Sequence, residues 1–351
     1  MQITSADLAI PGSALITVND PTGTGRTSNP VSFTVGSSLD AVAPQITMAH
    51  SGVINFPSVS LPSAASWTVT LPGPPSYATI TAGQVFVTVP VSAGSQLYAF
   101  DQATGAPTWG PIIVGAQASL TYDSATLFVL TQTTELGVVE ALNPLTGTSE
   151  WFSPLLGYSF SSGIVAGDGL VFPTSATGLD VLAVSESSGA VVWTAQVENG
   201  EDCTPAFTPN GLFVAYPDHF SGFNPATGTL LWADNGSIEG GGGAMPVAAN
   251  GLLYAASGLI TNPNTGAITY GGSILNGSTG APQGTYAADT IPAIGPQMGY
   301  FLQSGVLNAI NASNTVIWSF QGDGELVTAP LAINQYVVIG SSGGNLYVLD
   351  Q

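Results

Sequence analysis

Lysine is absent from these 351 residues and arginine occurs once, at Arg26, against 21 Asp and Glu, for a formal net charge of −20. Phosphate contacts are made chiefly by Lys and Arg, so this balance counts against nucleic-acid binding, and attraction to anionic lipid headgroups is disfavoured for the same reason. Cysteine is almost as scarce. Cys203 stands alone, which forbids an intrachain disulfide and points to a small buried apolar role. Two histidines, His50 and His219, and one cysteine make a typical zinc site implausible. No apolar run approaches the roughly 18 residues that would span a membrane, and no stretch shows helical periodicity. Only 6% of residues are charged, so the solvent face must be built of hydroxyls and amides. Such a surface offers few sites to proteases that cut after Lys or Arg. That suits an exported chain, extracellular or at the cell surface. No signal peptide is read at its front, which leaves a mature or trimmed form as the expectation.

Tryptophan, by contrast, recurs. Trp67, Trp109, Trp151 and Trp193 follow one another at about 42 residues, Trp232 comes about 39 later, and Trp318 is the last. Four of them close the same phrase: "LYAFDQATGAPTW", "VEALNPLTGTSEW", "VLAVSESSGAVVW" and "FSGFNPATGTLLW". An alternating strand ends on Asp101, Asn143, Ser185 or Asn224, whose side chain can start a turn by bonding the backbone ahead. Gly105, Gly147, Gly189 or Gly228 then supplies the positive φ of a tight hairpin. The Trp opens the returning strand, where burial of about 150–250 Å² is worth roughly 4–6 kcal/mol as an upper bound. Two copies are degenerate. One keeps Asn276 and Gly280 but has Gly284 at the Trp position; the other has Asn311 and Trp318 with one residue fewer between them. A final copy, "NLYVLDQ", reaches Asp350 without a turn or Trp.

Trp67 has no strand-and-turn phrase before it, so its segment is expected to be the outer strand of that last unit. The expected fold is therefore all-β: a seven-bladed propeller of four-stranded blades over 59–351, closed by pairing of an N-terminal strand so that no sheet edge is left open. The phrases resemble the pyrroloquinoline-quinone (PQQ) type propeller repeat. That resemblance implies the fold but no single function, since the superfamily includes quinone-dependent dehydrogenases, outer-membrane assembly scaffolds and surface proteins without enzyme activity. The quinone is a tricarboxylate held in that family by Arg and Lys with an acidic base and Ca²⁺. A chain without Lys, whose one Arg precedes the propeller, is expected neither to bind it nor to be an enzyme.

Residues 1–35 lie outside the repeat. "SADLAIPGSALITV", the turn "NDPTGTGRTSN" and "PVSFTV" resemble the last strands of an IPT/TIG-type immunoglobulin-like domain, too few to bury both faces of a sandwich. They are either a piece of a longer domain or a donor segment that adds to another subunit, and head-to-tail addition propagates into a filament unless it closes into a ring. Residues 36–58 read as a Gly/Ser/Pro-punctuated linker.

Candidate chemistry is sparse. His219 beside Asp218 is no dyad, because strand neighbours point to opposite faces. The run 240–243 of glycines lacks the Lys and helix of a phosphate loop. Glu201 and Asp202, Glu239, and Asp323 with Glu325 follow outer strands and would gather at one mouth of the channel, where they are weak Ca²⁺ candidates against a plain acidic rim. A glycosidase using Glu201 or Glu325 is a third reading. The favoured expectation is a non-catalytic structural subunit of an extracellular or cell-surface assembly, self-associating through residues 1–35. The alternative is a propeller module that binds glycan or protein as an adhesin or scaffold.

Overall fold

The computed structural model describes residues 12–16, 31–35, 40–55, 66–132, 136–154, 156, 163–175, 180–197, 203–216, 219–235, 245–261 and 268–351. These residues form strands and turns, with no helix among them. Seven four-stranded sheets follow one another along the chain: blade 1 (79–114), blade 2 (116–152), blade 3 (165–196), blade 4 (206–235), blade 5 (247–287), blade 6 (293–320) and blade 7 (331–350 with Val53–Ile54). In blades 1 to 6 all strands are antiparallel and run from innermost to outermost in chain order. The pattern of burial explains the sequence pattern. Second strands such as Gly211–Tyr216 are buried on both faces and read as unbroken apolar runs, whereas outer strands such as Val316–Phe320 are largely exposed. Two-residue hairpins carry the positive φ values that their mirror-image turns demand, as at Asp168 and Gly169 or Asn250 and Gly251. Apolar clusters then join neighbouring sheets. Phe128 and Val139 of blade 2 pack with Ile164 and Val171 of blade 3, and Leu212 of blade 4 packs with Val181 of blade 3.

The stretch expected to be a linker is the hub of the ring. Residues 41–54 reach the innermost strand of every blade. Ala41 exchanges backbone bonds with Ile80 of blade 1 at 2.7 and 2.8 Å, and the Val42 carbonyl accepts from Tyr122 N of blade 2 at 3.1 Å. Ala166 N of blade 3 donates to Met48 Sδ. The carbonyls of Met48, Ala49, Ser51 and Gly52 accept from Phe207 N, Ala248 N, Ile294 N and Ala332 N of blades 4, 5, 6 and 7, at 2.7–2.9 Å. Seven inner strands can share one short segment only if they surround it, so these bonds establish radial closure. They also satisfy edge N–H groups that would otherwise need water in the channel. The hub is tightly folded. Gln45, Ile46, His50 and Gly52 all have positive φ, and Gly52 N bonds back to the Gln45 carbonyl at 3.0 Å.

Closure by an N-terminal strand holds, with a different strand from the one expected. Val53–Ile54 pairs in parallel with Leu331–Ile333 on the inner edge of blade 7. The Trp67 segment forms no strand in the described residues 66–77, where Pro72, Pro74 and Pro75 withhold ladder donors. Its tryptophan nevertheless sits as the indoles of the other blades do. Trp67 Nε1 donates to the Gln102 carbonyl of blade 1 at 2.9 Å, and its ring covers Gly105. Of residues 1–35, Gly12–Ile16 and Val31–Val35 pair antiparallel; this two-stranded ladder does not amount to an immunoglobulin-like sandwich, and the other residues of that segment lie outside the description.

His50, placed by sequence in a linker, is fully buried in the hub, with Nδ1 3.0 Å from the Pro246 carbonyl. Burial holds its pKa down at about 4, against an ordinary 6.5, despite that bond. The folded state thus binds fewer protons than the unfolded state between those values. The associated stability is present above pH 6.5 and lost as pH falls through 4, on the order of 3 kcal/mol in all. In denaturant unfolding from pH 7 to pH 4, His50→Phe is expected to lose less stability than the unsubstituted chain. Parallel curves for the two would show that His50 does not titrate in this window.

Candidate functional site

Each seam between blades is built from one cross-strand triplet. The second, third and fourth strands place an aromatic, a small residue and a tryptophan in register: Phe86–Ala99–Trp109, Phe128–Ala141–Trp151, Phe213–Gly222–Trp232 and Tyr300–Ala309–Trp318. The aromatic and indole centroids lie 5.7–6.2 Å apart. The small residue makes room, since a Cβ at Gly222 would lie 2.6 Å from Trp232 Nε1. The indole then crosses to the turn of the next blade. Nε1 of Trp109, Trp151, Trp193 and Trp232 donates to the carbonyls of Pro144, Glu186, Pro225 and Gly277 at 2.8–2.9 Å. The ring covers that turn's glycine, with Gly147, Gly189, Gly228 and Gly280 at φ of 69–72°. These glycines are therefore required twice, for their left-handed backbone and for the absence of a Cβ beneath the ring. The turn starters act as read from sequence: Asp101 Oδ1 accepts from Thr104 N at 2.8 Å, and Asn224 Oδ1 from Ala226 N at 3.0 Å.

The seam between blades 5 and 6 keeps the aromatic and breaks the rule at the other two positions. The triplet is Tyr254–Ile274–Gly284, so the tryptophan is gone and its small neighbour has become isoleucine. With no indole to receive, the blade 6 turn dispenses with glycine and places Asn314 at φ 56°. A Cβ at Gly284 would meet nothing within 4 Å. Among the described residues, Val247, Ala288, Ile294 and Phe301 form the buried cluster here, whereas ten residues do so between blades 2 and 3. The unfilled space is an open pocket of about 660 Å³. Tyr254, Tyr286 and Phe301 line it and pack on one another with centroids 5.8–6.4 Å apart. Burial pushes the Tyr286 hydroxyl well above its usual range, so it stays protonated. The degenerate copies, with Gly284 in place of Trp and with the shortened Asn311–Trp318 turn, were visible in the sequence; that they face each other across one seam was not.

The acidic candidates fare differently. Glu201, Asp202 and Glu239 lie outside the described residues. Asp323 and Glu325 are tied to the Ser341–Asn345 turn of blade 7. Ser341 Oγ and Asn345 Nδ2 donate to Asp323 Oδ2 at 2.6 and 2.8 Å, and Ser342 Oγ donates to Glu325 Oε2 at 3.1 Å. The Ser341 and Asn345 bonds lower the Asp323 pKa to about 2. No group of three His, Cys, Asp or Glu that could hold a metal occurs among the described residues. Cys203 is buried, accepts a bond from Ala215 N, and has its thiol pushed up to about 12 by desolvation, which makes it inert. One carboxylate missed in the sequence is Glu186, in the turn that receives Trp151. Burial, then the charge of Asp123, raises it to about 8.

The sequence profile of the family described as outer membrane protein assembly factor BamB matches residues 62–205 and 135–279, together more than half of the chain. No curated protein matches. Among solved structures, quinohemoprotein alcohol dehydrogenase ADHIIG from Pseudomonas putida HK5 is 12% identical, with 90% of this chain and 71% of that one covered at a TM-score of 0.61. Quinohemoprotein alcohol dehydrogenase from Comamonas testosteroni is also 12% identical, covering 89% and 71% at 0.56. BamB from Moraxella catarrhalis is 17% identical, covering 75% and 96% at 0.45. The dehydrogenase likeness is one of fold. A quinone tricarboxylate needs cationic partners, and the described residues include neither Lys nor Arg, while residues 41–54 run along the axis. The residues present do not fit that group.

Gly147→Ala would set a Cβ 2.6 Å from Trp109 Cε3 at a φ of 69°. It is expected to cost about 2–4 kcal/mol in urea unfolding, against about 1–2 kcal/mol for Gly83→Ala, which shares the positive φ but has nothing above it, if ring coverage adds to the backbone cost. Glu186 binds its proton more tightly folded than unfolded, so stability falls as pH rises from about 4.5 through 8. In melts across that window, Glu186→Gln is expected to flatten the decline; an unchanged slope would place its origin elsewhere.

Proposed function

Because the chain belongs to the family of outer membrane protein assembly factor BamB, we propose that it is a non-catalytic binding and assembly propeller of an exported or cell-surface protein, joining other proteins and copies of itself through its outer rim. The observation that carries this reading is the chemistry of the outermost strands. Ile113, Phe152, Val192, Leu231 and Ile317 stand 46–60% exposed around the circumference. In the outer strands of blades 1 to 6 the charged side chains are Glu150 and Asp234 alone, and no lysine guards an edge. Soluble β proteins commonly protect free edges with charge, above all lysine, because a bare edge templates pairing with another chain. An edge left apolar and uncharged suits a partner strand. The paired strands Gly12–Ile16 and Val31–Val35 are a candidate donor for such addition, which would build a filament.

Light scattering and electron microscopy test the proposal. The chain is expected to form large particles that Val192→Lys/Leu231→Lys/Ile317→Lys disperses to monomers, and that deletion of residues 1–35 also prevents if this segment is the donor. A chain that stays monomeric at every accessible concentration, or particles indifferent to the three lysines, would remove the rim from the account.

A further inference from the structure

We infer that the pocket between blades 5 and 6 is a binding site for a neutral carbohydrate, created by loss of the tryptophan that plugs the other seams. Its volume of about 660 Å³ lies within the range of small-molecule sites, roughly 300–1,000 Å³. The chemistry of its wall narrows the ligand. Of its 22 lining residues seven are Asn or Gln and none is Asp, Glu, Lys, Arg or His. A charged ligand would give up its hydration without a counter-ion there. Carboxamides donate and accept at once, as a sugar hydroxyl does. They come from both walls: Gln283 on the outer strand of blade 5, and Gln297, Gln303 and Asn314 on blade 6. Tyr254, Tyr286 and Phe301 supply an apolar floor fixed by mutual packing, against which the C–H face of a pyranose can lie while its hydroxyls meet the amides.

A tryptophan inserted by a partner protein is the obvious competitor, since an indole occupies the equivalent place elsewhere. Ile274 disfavours it. The indole of the other blades lies over alanine or glycine on the third strand, and here a branched side chain fills that room. Asn250 Nδ2 also bridges to the Gly295 carbonyl at 2.8 Å, so both walls are held together without a ligand.

Saturation-transfer NMR of the full chain with maltotriose, cellotriose, mannotriose, xylotriose and chitotriose, with trigalacturonate and the peptide Gly-Trp-Gly alongside, tests this. At least one neutral trisaccharide is expected to bind, with trigalacturonate and the peptide weaker. Gln283→Ala/Gln297→Ala, two exposed positions, should weaken it at least about tenfold. Ile274→Ala/Gly284→Trp, which rebuilds the common triplet, should abolish it; should that variant not fold, the glutamine pair decides. No binding by any of the five neutral sugars, binding unchanged in the glutamine variant, or preference for the peptide or trigalacturonate would overturn the assignment. None of these outcomes bears on the rim, whose particles are counted without sugar.

Discussion

The structure depends on an indole laid over a glycine. Each such contact joins the outer strand of one sheet to the turn of the next, so a single side chain links two blades that share no ladder. The indole N–H is satisfied by a carbonyl of the receiving turn, the ring by the aromatic behind it, and the glycine by a backbone that other residues enter at a cost. None of the three elements works alone. That mutual requirement is why they recur together, and why loss of the tryptophan at Gly284 goes with a larger third-strand residue and a non-glycine turn at Asn314. One seam has been rebuilt as a whole, and what it gave up in packing became a cavity.

A second constraint acts at the axis. The inner edges of seven sheets present N–H groups to a channel, and a segment with little regular structure meets six of them with carbonyls and that of blade 3 with the Met48 sulfur. Its left-handed residues at Gln45, Ile46 and His50 let it turn tightly enough to serve all the blades in 14 residues, 41–54. The surfaces left for partners include the rim and the open seam, whose described residues carry few charged side chains. Recognition at the rim and the open seam rests on apolar area, strand edges and hydroxyl or amide hydrogen bonds, working against the repulsion that a net charge of −20 sets up between copies.

By itself the sequence determined the blade number, the triplet-bearing strands, the turn chemistry and the absence of cationic chemistry. Each of these is local: a turn starter, a glycine and a tryptophan at fixed offsets require one another within 15 residues, and a missing lysine is missing in any fold. Tertiary structure decided what the locally featureless stretches do. Residues 41–54 carry no periodic signal because their partners are backbone groups on seven separate sheets, so the hub read as a linker and His50 as a linker residue. The repeat assigned the Trp67 segment to the closing blade, but that its ring would cover Gly105, and which strand seals the ring, were not legible, since a parallel pair of two residues leaves no pattern. Asp323 and Glu325 read as free carboxylates because the serines and asparagine that bind them arrive from the next blade. The pocket lay between both: the two degenerate copies, at Gly284 and at Asn311–Trp318, stood in the sequence, and only the radial packing of sheets brought them face to face.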